Sequence, residues 1–217
     1  MENYWYISDA KLEILRQTLP RTWSQDLIIK LKFKSPWFEA EVGHRDVKAA
    51  VANTKIIYET LLKSGDLLDF SALSEFDSPQ FFSFRGHASR MISNEGYWIA
   101  LHRESSALLL GGSAKHAIGA SGTPEGSISP SINPLGAATS LSTQESAESI
   151  SEKISYVWQE VYRTGGASAP GVVPQVEGVA LFAGRFPASK RQLRRAGKLP
   201  ISNVVVGTPI FVKQVAS

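Results

Sequence analysis

Phe81-Phe82-Ser83-Phe84-Arg85-Gly86-His87-Ala88-Ser89-Arg90-Met91-Ile92, and after Ser93 the run Asn94-Glu95-Gly96-Tyr97-Trp98-Ile99-Ala100-Leu101-His102-Arg103, is the stretch whose reading decides the fold. Phe82, Phe84, Gly86 and Ala88 fall on one side of an extended chain, and Ser83, Arg85, His87 and Ser89 on the other. That period of two belongs to a strand with one buried face. Asn94-Glu95-Gly96 reads as a three-residue hairpin loop with Gly at the left-handed position. The chain returns through residues 97–103, which sets His102 opposite Ala88 and beside the row of His87. Residues 107–110 then form a continuous apolar run suited to a central strand.

Upstream, Tyr4-Trp5-Tyr6-Ile7 is a strand of aromatic and β-branched residues broken at Ser8-Asp9. Either of those two caps a helix with Leu12, Leu15 and Leu19 on one face, ended by Pro20. Residues 27–34 alternate Ile29, Leu31 and Phe33 with Lys30, Lys32 and Lys34. A hairpin through Ser35-Pro36 would pair Lys32 with Glu39 and Lys30 with Glu41. Residues 46–64 carry Val47, Ala50, Val51, Thr54, Ile57, Tyr58 and Leu61 at helical spacing, with Gly65 placed to end the helix.

Downstream, residues 121–140 are rich in Gly, Ser, Pro and Ala, a composition that predicts a flexible excursion. Ser142-Thr143-Gln144-Glu145 has the form of a capping box opening a helix to about Arg163, with Ala147, Ile150, Ile154, Val157 and Val161 on its buried face. Residues 165–174 read as a second linker, and strands are expected at 176–183, 203–206 and 210–215. Phe84-Arg85-Gly86-His87-Ala88 echoes Val176-Glu177-Gly178-Val179-Ala180, and Leu108-Leu109-Leu110-Gly111 echoes Val204-Val205-Val206-Gly207, an internal similarity that suggests two related β-units. The expected fold is therefore α+β: a mostly antiparallel sheet with about three main helices. It divides into an N-terminal α+β unit over 1–120, the excursion over 121–141, and a helix with a C-terminal β-unit over 142–217 that packs on the first.

With 217 residues, 43% of them hydrophobic and 20% charged, the chain has ample length for a buried core, and its lack of Cys excludes disulfide scaffolds and thiolate metal sites. The thiol-free composition fits a reducing cytoplasm. The opening six residues lack a basic n-region and an apolar h-region, and no apolar run reaches membrane-spanning length, so a cytoplasmic protein away from the membrane is expected. The net charge is +3, yet residues 185–198 alone hold six cations (Arg185, Lys190, Arg191, Arg194, Arg195, Lys198) and no acid. The remainder of the chain is thus at −3, and the basic character is concentrated in one short segment that can attract a polyanion. Arg191, Arg194 and Arg195 share one side at helical spacing after a Ser189 cap, and guanidinium forks suit phosphate oxygens.

A second candidate follows the central strand: Gly111-Gly112-Ser113-Ala114-Lys115-His116 reads as a turn into a helix N-terminus. Its backbone N–H groups, with Ser113 and Lys115, could hold a phosphate or carboxylate. It lacks the Gly-Lys-Ser/Thr ending of a Walker A loop. Ser113 also suggests a nucleophile elbow, but Lys115 stands where the second glycine belongs. Ser8-Asp9-Ala10-Lys11 has the Ser-x-x-Lys spacing of penicillin-recognising enzymes without their Lys-Thr-Gly string, and a Ser8 helix cap explains it better. His44, His87, His102 and His116 fit no metal-binding spacing, and no cofactor is implied.

Tyr6-Ile7-Ser8-Asp9-Ala10-Lys11-Leu12, the run from Leu110 through Gly111-Gly112-Ser113 to Gly119, and Gly207-Thr208-Pro209-Ile210-Phe211-Val212 resemble landmarks of an uncharacterised bacterial family. Its members open with Tyr-Leu-Ser-x-x-Lys-Leu and carry Gly-Ser-x-x-x-x-x-Gly near the middle. The Ser/Pro-rich stretch after Ala120 departs from that pattern. The resemblance implies organisation and no activity. The expected function is accordingly a non-enzymatic binding or sensing module for a phosphate-bearing ligand, a nucleic acid or nucleotide. The alternatives are an assembly subunit that binds another protein through exposed aromatics such as Trp37 and Trp158, and a hydrolase using Ser113.

Overall fold

In a computed structural model, residues 3–18, 47–64, 67–73, 81–93, 96–118, 133–142, 149–165, 173–193 and 199–215 are described. The alternating stretch is indeed a hairpin: β2 (Phe81–Ser93) pairs antiparallel with β3 (Gly96–Arg103), and β3 with β4 (Ser106–Gly112). β1 (Asn3–Ile7), β5 (Gln175–Pro187) and β6 (Asn203–Gln214) complete one six-stranded sheet in the order β1-β6-β4-β3-β2-β5. β5 also pairs with β6 along its length, from Val176↔Gln214 to Pro187↔Asn203, and this closes β2, β3, β4, β6 and β5 into a five-stranded barrel.

The sheet is mixed, in contrast to the mostly antiparallel arrangement expected. β4 lies parallel to β6, with Ser106 beside Asn203 and Leu110 beside Gly207. A parallel neighbour needs a long crossover, and residues 113–202 supply it. Beyond Gly207, β1 pairs with the rest of β6 (Tyr6↔Val212, Ile7↔Phe211). β6 is a single strand through Gly207-Thr208-Pro209, where two strands were expected. Pro209 sits opposite Ala180 at a register shift, where its missing N–H is tolerated.

Alternation sorts the side chains. Phe82, Phe84, Ile99, Leu101, Leu108, Leu110, Val176, Ala180 and Val205 fill the barrel. Trp98, Ala100, Ala107, Leu109, Val204 and Val206 face outward onto Ala137 and Ala138 of α3 (Pro134–Leu141) and Ile154, Val157, Trp158 and Val161 of α4 (Ile150–Thr164). A second outer face, Tyr4, Ile7, Val179, Ile210 and Phe211, packs on Leu12 and Leu15 of α1 (Asp9–Thr18) and Ala50, Ile57 and Leu61 of α2 (Val47–Ser64). Strands buried on both faces explain the unbroken apolar runs at 107–110 and 204–206.

Several local expectations are corrected. Gly96 has φ 152° and already pairs with Ser93, so the ladder sets Leu101 opposite Ala88, one residue away from the His102 expected there. Part of the supposed excursion is helical: Asn133 caps α3 by accepting from the Gly136 N–H at 2.8 Å, and Ala137 and Ala138 are buried. Ser142 ends that helix, and α4 starts at Ile150 with Ser149 as its cap (Glu152 N–H to Ser149 Oγ, 3.2 Å). Four helices reach eight residues or more among those described, against the three expected. The echoing segments lie on neighbouring strands of one sheet, Phe84 opposite Gly178 and Leu108 beside Val205. Their glycines also differ in role. A Cβ on Gly178 would lie 2.6 Å from the Phe84 ring, whereas one on Gly86 would meet nothing nearer than 3.5 Å. The proposed hairpin over 27–42, its Lys and Glu pairs, Trp37 and His44 fall outside the described residues. No helix among the described residues is long and apolar enough to cross a membrane.

Candidate functional site

The basic segment begins inside β5, where Arg185 faces Val205. Its guanidinium donates to the Leu73 carbonyl and ties down residues 67–73. That piece carries Phe70 and Leu73 into the barrel core, and its Asp69 also pairs with Arg103 at 3.3 Å. Arg185 is therefore engaged in holding the fold. After Pro187 the chain turns out of the sheet. The Ala188 N–H donates to the Ser202 carbonyl (2.9 Å) and the Ser189 N–H to Ser155 Oγ of α4 (3.0 Å).

One short helix follows, α5 (Lys190–Leu193), with the Leu193 N–H bonded to the Ser189 carbonyl at 3.0 Å. Leu193 is 6% exposed and sits in the cluster with Trp158, Ile201 and Val204, and this anchor leaves Lys190 and Arg191 exposed. Neither cation makes an ion pair among the described residues. Arg194, Arg195 and Lys198 lie outside those residues.

The glycine pair does not make the turn expected of it. Gly111 and Gly112 are the last residues of β4, opposite Trp98 and Tyr97. A Cβ on Gly112 would come within 2.7 Å of the Tyr6 ring, so glycine here admits an aromatic. Ser113 is extended (φ −71°, ψ 134°) and its side chain caps nothing; Ala114–His116 is one 3₁₀ turn with Lys115 exposed. Because β4 starts beside Asn203, where α5 leaves the sheet, and ends at Gly112, α5 with Lys190 and Arg191 lies at the opposite end of β4 from Ser113 and Lys115, roughly 20 Å away at strand rise.

Trp158, expected as an exposed contact residue, is fully buried, and its Nε1 donates to the Leu101 carbonyl at 3.0 Å. His102 packs edge-on to Trp158 and Tyr162 (centroids 6.4 and 5.4 Å), and burial lowers its pKa. His87 Nδ1 meets the Val173 carbonyl at 3.0 Å. No metal-ligating cluster occurs among the described residues.

Sequence reasoning weighed Lys11 only for its Ser-x-x-Lys spacing and missed its burial: it is 6% exposed on α1. Its Nζ donates to Thr208 Oγ1 and, at 3.4 Å, to the Pro209 carbonyl, and lies 5.9 Å from the Tyr6 ring centroid. Burial alone lowers its pKa to about 7. The available signal was its place beside Leu12 and one turn before Leu15, on the buried side of the helix. Three stretches that carried the family resemblance thus meet: Lys11 and Tyr6 from the first, Gly112 from the second, Thr208 from the third.

Fold and site define an α+β protein built on a closed, mixed five-stranded barrel with a basic helical turn at one end. The chain belongs to the family of unknown function DUF7019, whose model matches residues 2–216. No curated protein and no solved structure matches it.

Proposed function

We propose that this protein is a non-enzymatic binding module for a phosphate-bearing polyanion, engaged through the basic segment that starts at α5. The observation that carries this reading is the anchoring of α5 by Leu193, which leaves Lys190 and Arg191 exposed and without carboxylate partners among the described residues. The sequence adds Arg194, Arg195 and Lys198 within the next five positions and no acid across 185–198. Surface cations that only keep a helix soluble are ordinarily mixed with acids. The rest of the chain carries net negative charge, so a polyanion is attracted locally and repelled elsewhere. A cytoplasmic setting goes with this reading, since a chain without Cys requires no oxidising compartment.

The test is the salt dependence of binding to labelled single-stranded and duplex DNA. Affinity on duplex should fall with a log–log slope of roughly −0.9 per phosphate contacted. Replacing Lys190, Arg191, Arg194 and Arg195 together by Ala should abolish binding, and Lys190→Ala with Arg191→Ala should flatten the slope by roughly 1–2 units. Absence of binding at low salt, or an unchanged slope in the variants, overturns the reading.

A further inference from the structure

At the other end of β6 the barrel leaves an opening. β2 pairs with β5 only as far as His87↔Gln175, and β1 enters on the far side of β6 at Gln214. Between them lies a cleft of about 310 Å³, lined by Asn3, Trp5, Ala88, Arg90, Ile118 and Gln214 among others. From Asn203 to Gln214 the strand separates this cleft from α5 by roughly 35 Å.

Arg90 is the charged group of that lining among the described residues. Even-numbered residues of β2 point into the barrel, so Arg90 follows Phe84 and Ala88 to the mouth. There its guanidinium lies over the Trp5 ring, 4.7 Å from the centroid. Trp5 itself is turned inward at a register shift between Tyr4 and Tyr6, which lets Trp5 and Tyr6 both join the barrel core. The aromatic face holds the guanidinium without neutralising it, and no carboxylate pairs with Arg90 among the described residues. Beside it, the Tyr97 hydroxyl is held neutral, its pKa raised to about 12 by burial against the opposing pull of Arg90. Across the cleft, Asn3 Nδ2 donates to Gln214 Oε1 at 3.0 Å, an amide pair with donors and acceptors to spare.

We infer that this cleft binds a compact organic oxyanion, with the Arg90 fork on a carboxylate or phosphate group and the Asn3–Gln214 amides on the body of the ligand. A planar fork stacked over an aromatic ring, exposed and without a carboxylate partner among the described residues, is suited to two parallel hydrogen bonds to such a group. The volume lies at the small end of ligand sites, which limits the occupant to a single small molecule and excludes a polymer strand. The inference is independent of the polyanion reading, because the two surfaces share no residue.

The probes are inorganic phosphate, adenosine monophosphate and benzoate, titrated separately and followed by calorimetry and by amide chemical shifts. Saturable binding of at least one is expected, with shift changes at residues 3–5, 88–90 and 118. Preference for adenosine monophosphate over benzoate identifies a phosphate ligand, and the reverse identifies a carboxylate. Arg90→Met should weaken binding at least tenfold and Arg90→Lys less. Ile118→Trp, which fills the cleft from another wall, should also abolish it, and melting curves establish that both variants fold. Lys190→Ala with Arg191→Ala should leave this binding unchanged. Absence of saturable binding by all three probes, or affinity retained in either Arg90→Met or Ile118→Trp, overturns the inference.

Discussion

Replacing Lys11 by Met should change how the stability of this protein depends on pH. The amine is buried against Tyr6, Thr208 and Pro209, and its pKa falls from 10.5 to about 7. The unfolded chain therefore holds this proton up to pH 10.5 while the folded chain releases it near 7, so stability rises with pH between those values. At about 1.36 kcal/mol per unit, a shift of that size corresponds to a penalty of about 4 kcal/mol at pH 7 that shrinks to about 1 kcal/mol at pH 9.5. Among the described residues, the other displaced groups act outside this window. The lowered pKa of His102 acts below 6.5, and Tyr58 and Tyr97, raised to about 12, reduce stability only above pH 10. In a chain of this size the gain of about 3 kcal/mol corresponds to a rise in Tm of roughly 6–12 °C between pH 7 and 9.5. Met keeps the apolar stem but leaves the Pro209 carbonyl and the Thr208 hydroxyl without this donor, at a cost of about 1–3 kcal/mol that does not vary with pH. Lys11→Met should therefore be the more stable protein at pH 7, and its advantage should vanish by pH 9.5. Calorimetric scans of both proteins at half-unit intervals measure this. Parallel curves would show that Lys11 reaches water or a carboxylate, and the burial argument would fail.

Three further substitutions test the fold that presents these surfaces. Gly178→Ala should cost roughly 1–3 kcal/mol in urea unfolding, since its Cβ meets the Phe84 ring and the Phe211 carbonyl, whereas Gly86→Ala should be neutral or stabilising; equal effects would contradict the barrel packing. Leu193→Ala should cost roughly 2–3 kcal/mol and weaken DNA binding although it removes no charge, and binding at native strength would show that the α5 anchor does not orient the cations.

The strands and helices were largely legible because each is amphipathic over its own few residues. What stayed hidden was the pairing of strands distant in sequence. Ala107-Leu108-Leu109-Leu110 announces a strand buried on both faces, but its parallel alignment with Val204-Val205-Val206 joins residues nearly a hundred positions apart, and no local period encodes that. Asn133-Pro134 at the start of α3 has a cap and a proline at its first position, yet the surrounding Gly and Ser mask both signals. Gly111-Gly112 misled for a related reason: glycine is as apt for a crowded strand as for a turn, and only the Tyr6 ring, supplied from the other end of the chain, decides between them.

The same distinction separates the two candidate surfaces. A run of cations within fourteen residues is recognisable from residue types alone, because proximity along the chain makes it a patch under almost any fold. The Arg90 cleft has no such signature. Arg90 in sequence is one more strand residue, alternating correctly with Ser89 and Met91. It gains its setting from a register shift in β1 that turns Trp5 inward, from the end of the β2–β5 ladder at His87, and from Gln214 arriving on β6. Each of those depends on closure of the barrel, which rests on β6 pairing with β5 on one side and with β4 and β1 on the other. Where a site is assembled from single residues on several strands, the ladder registers, and not the residue types alone, carry the functional information.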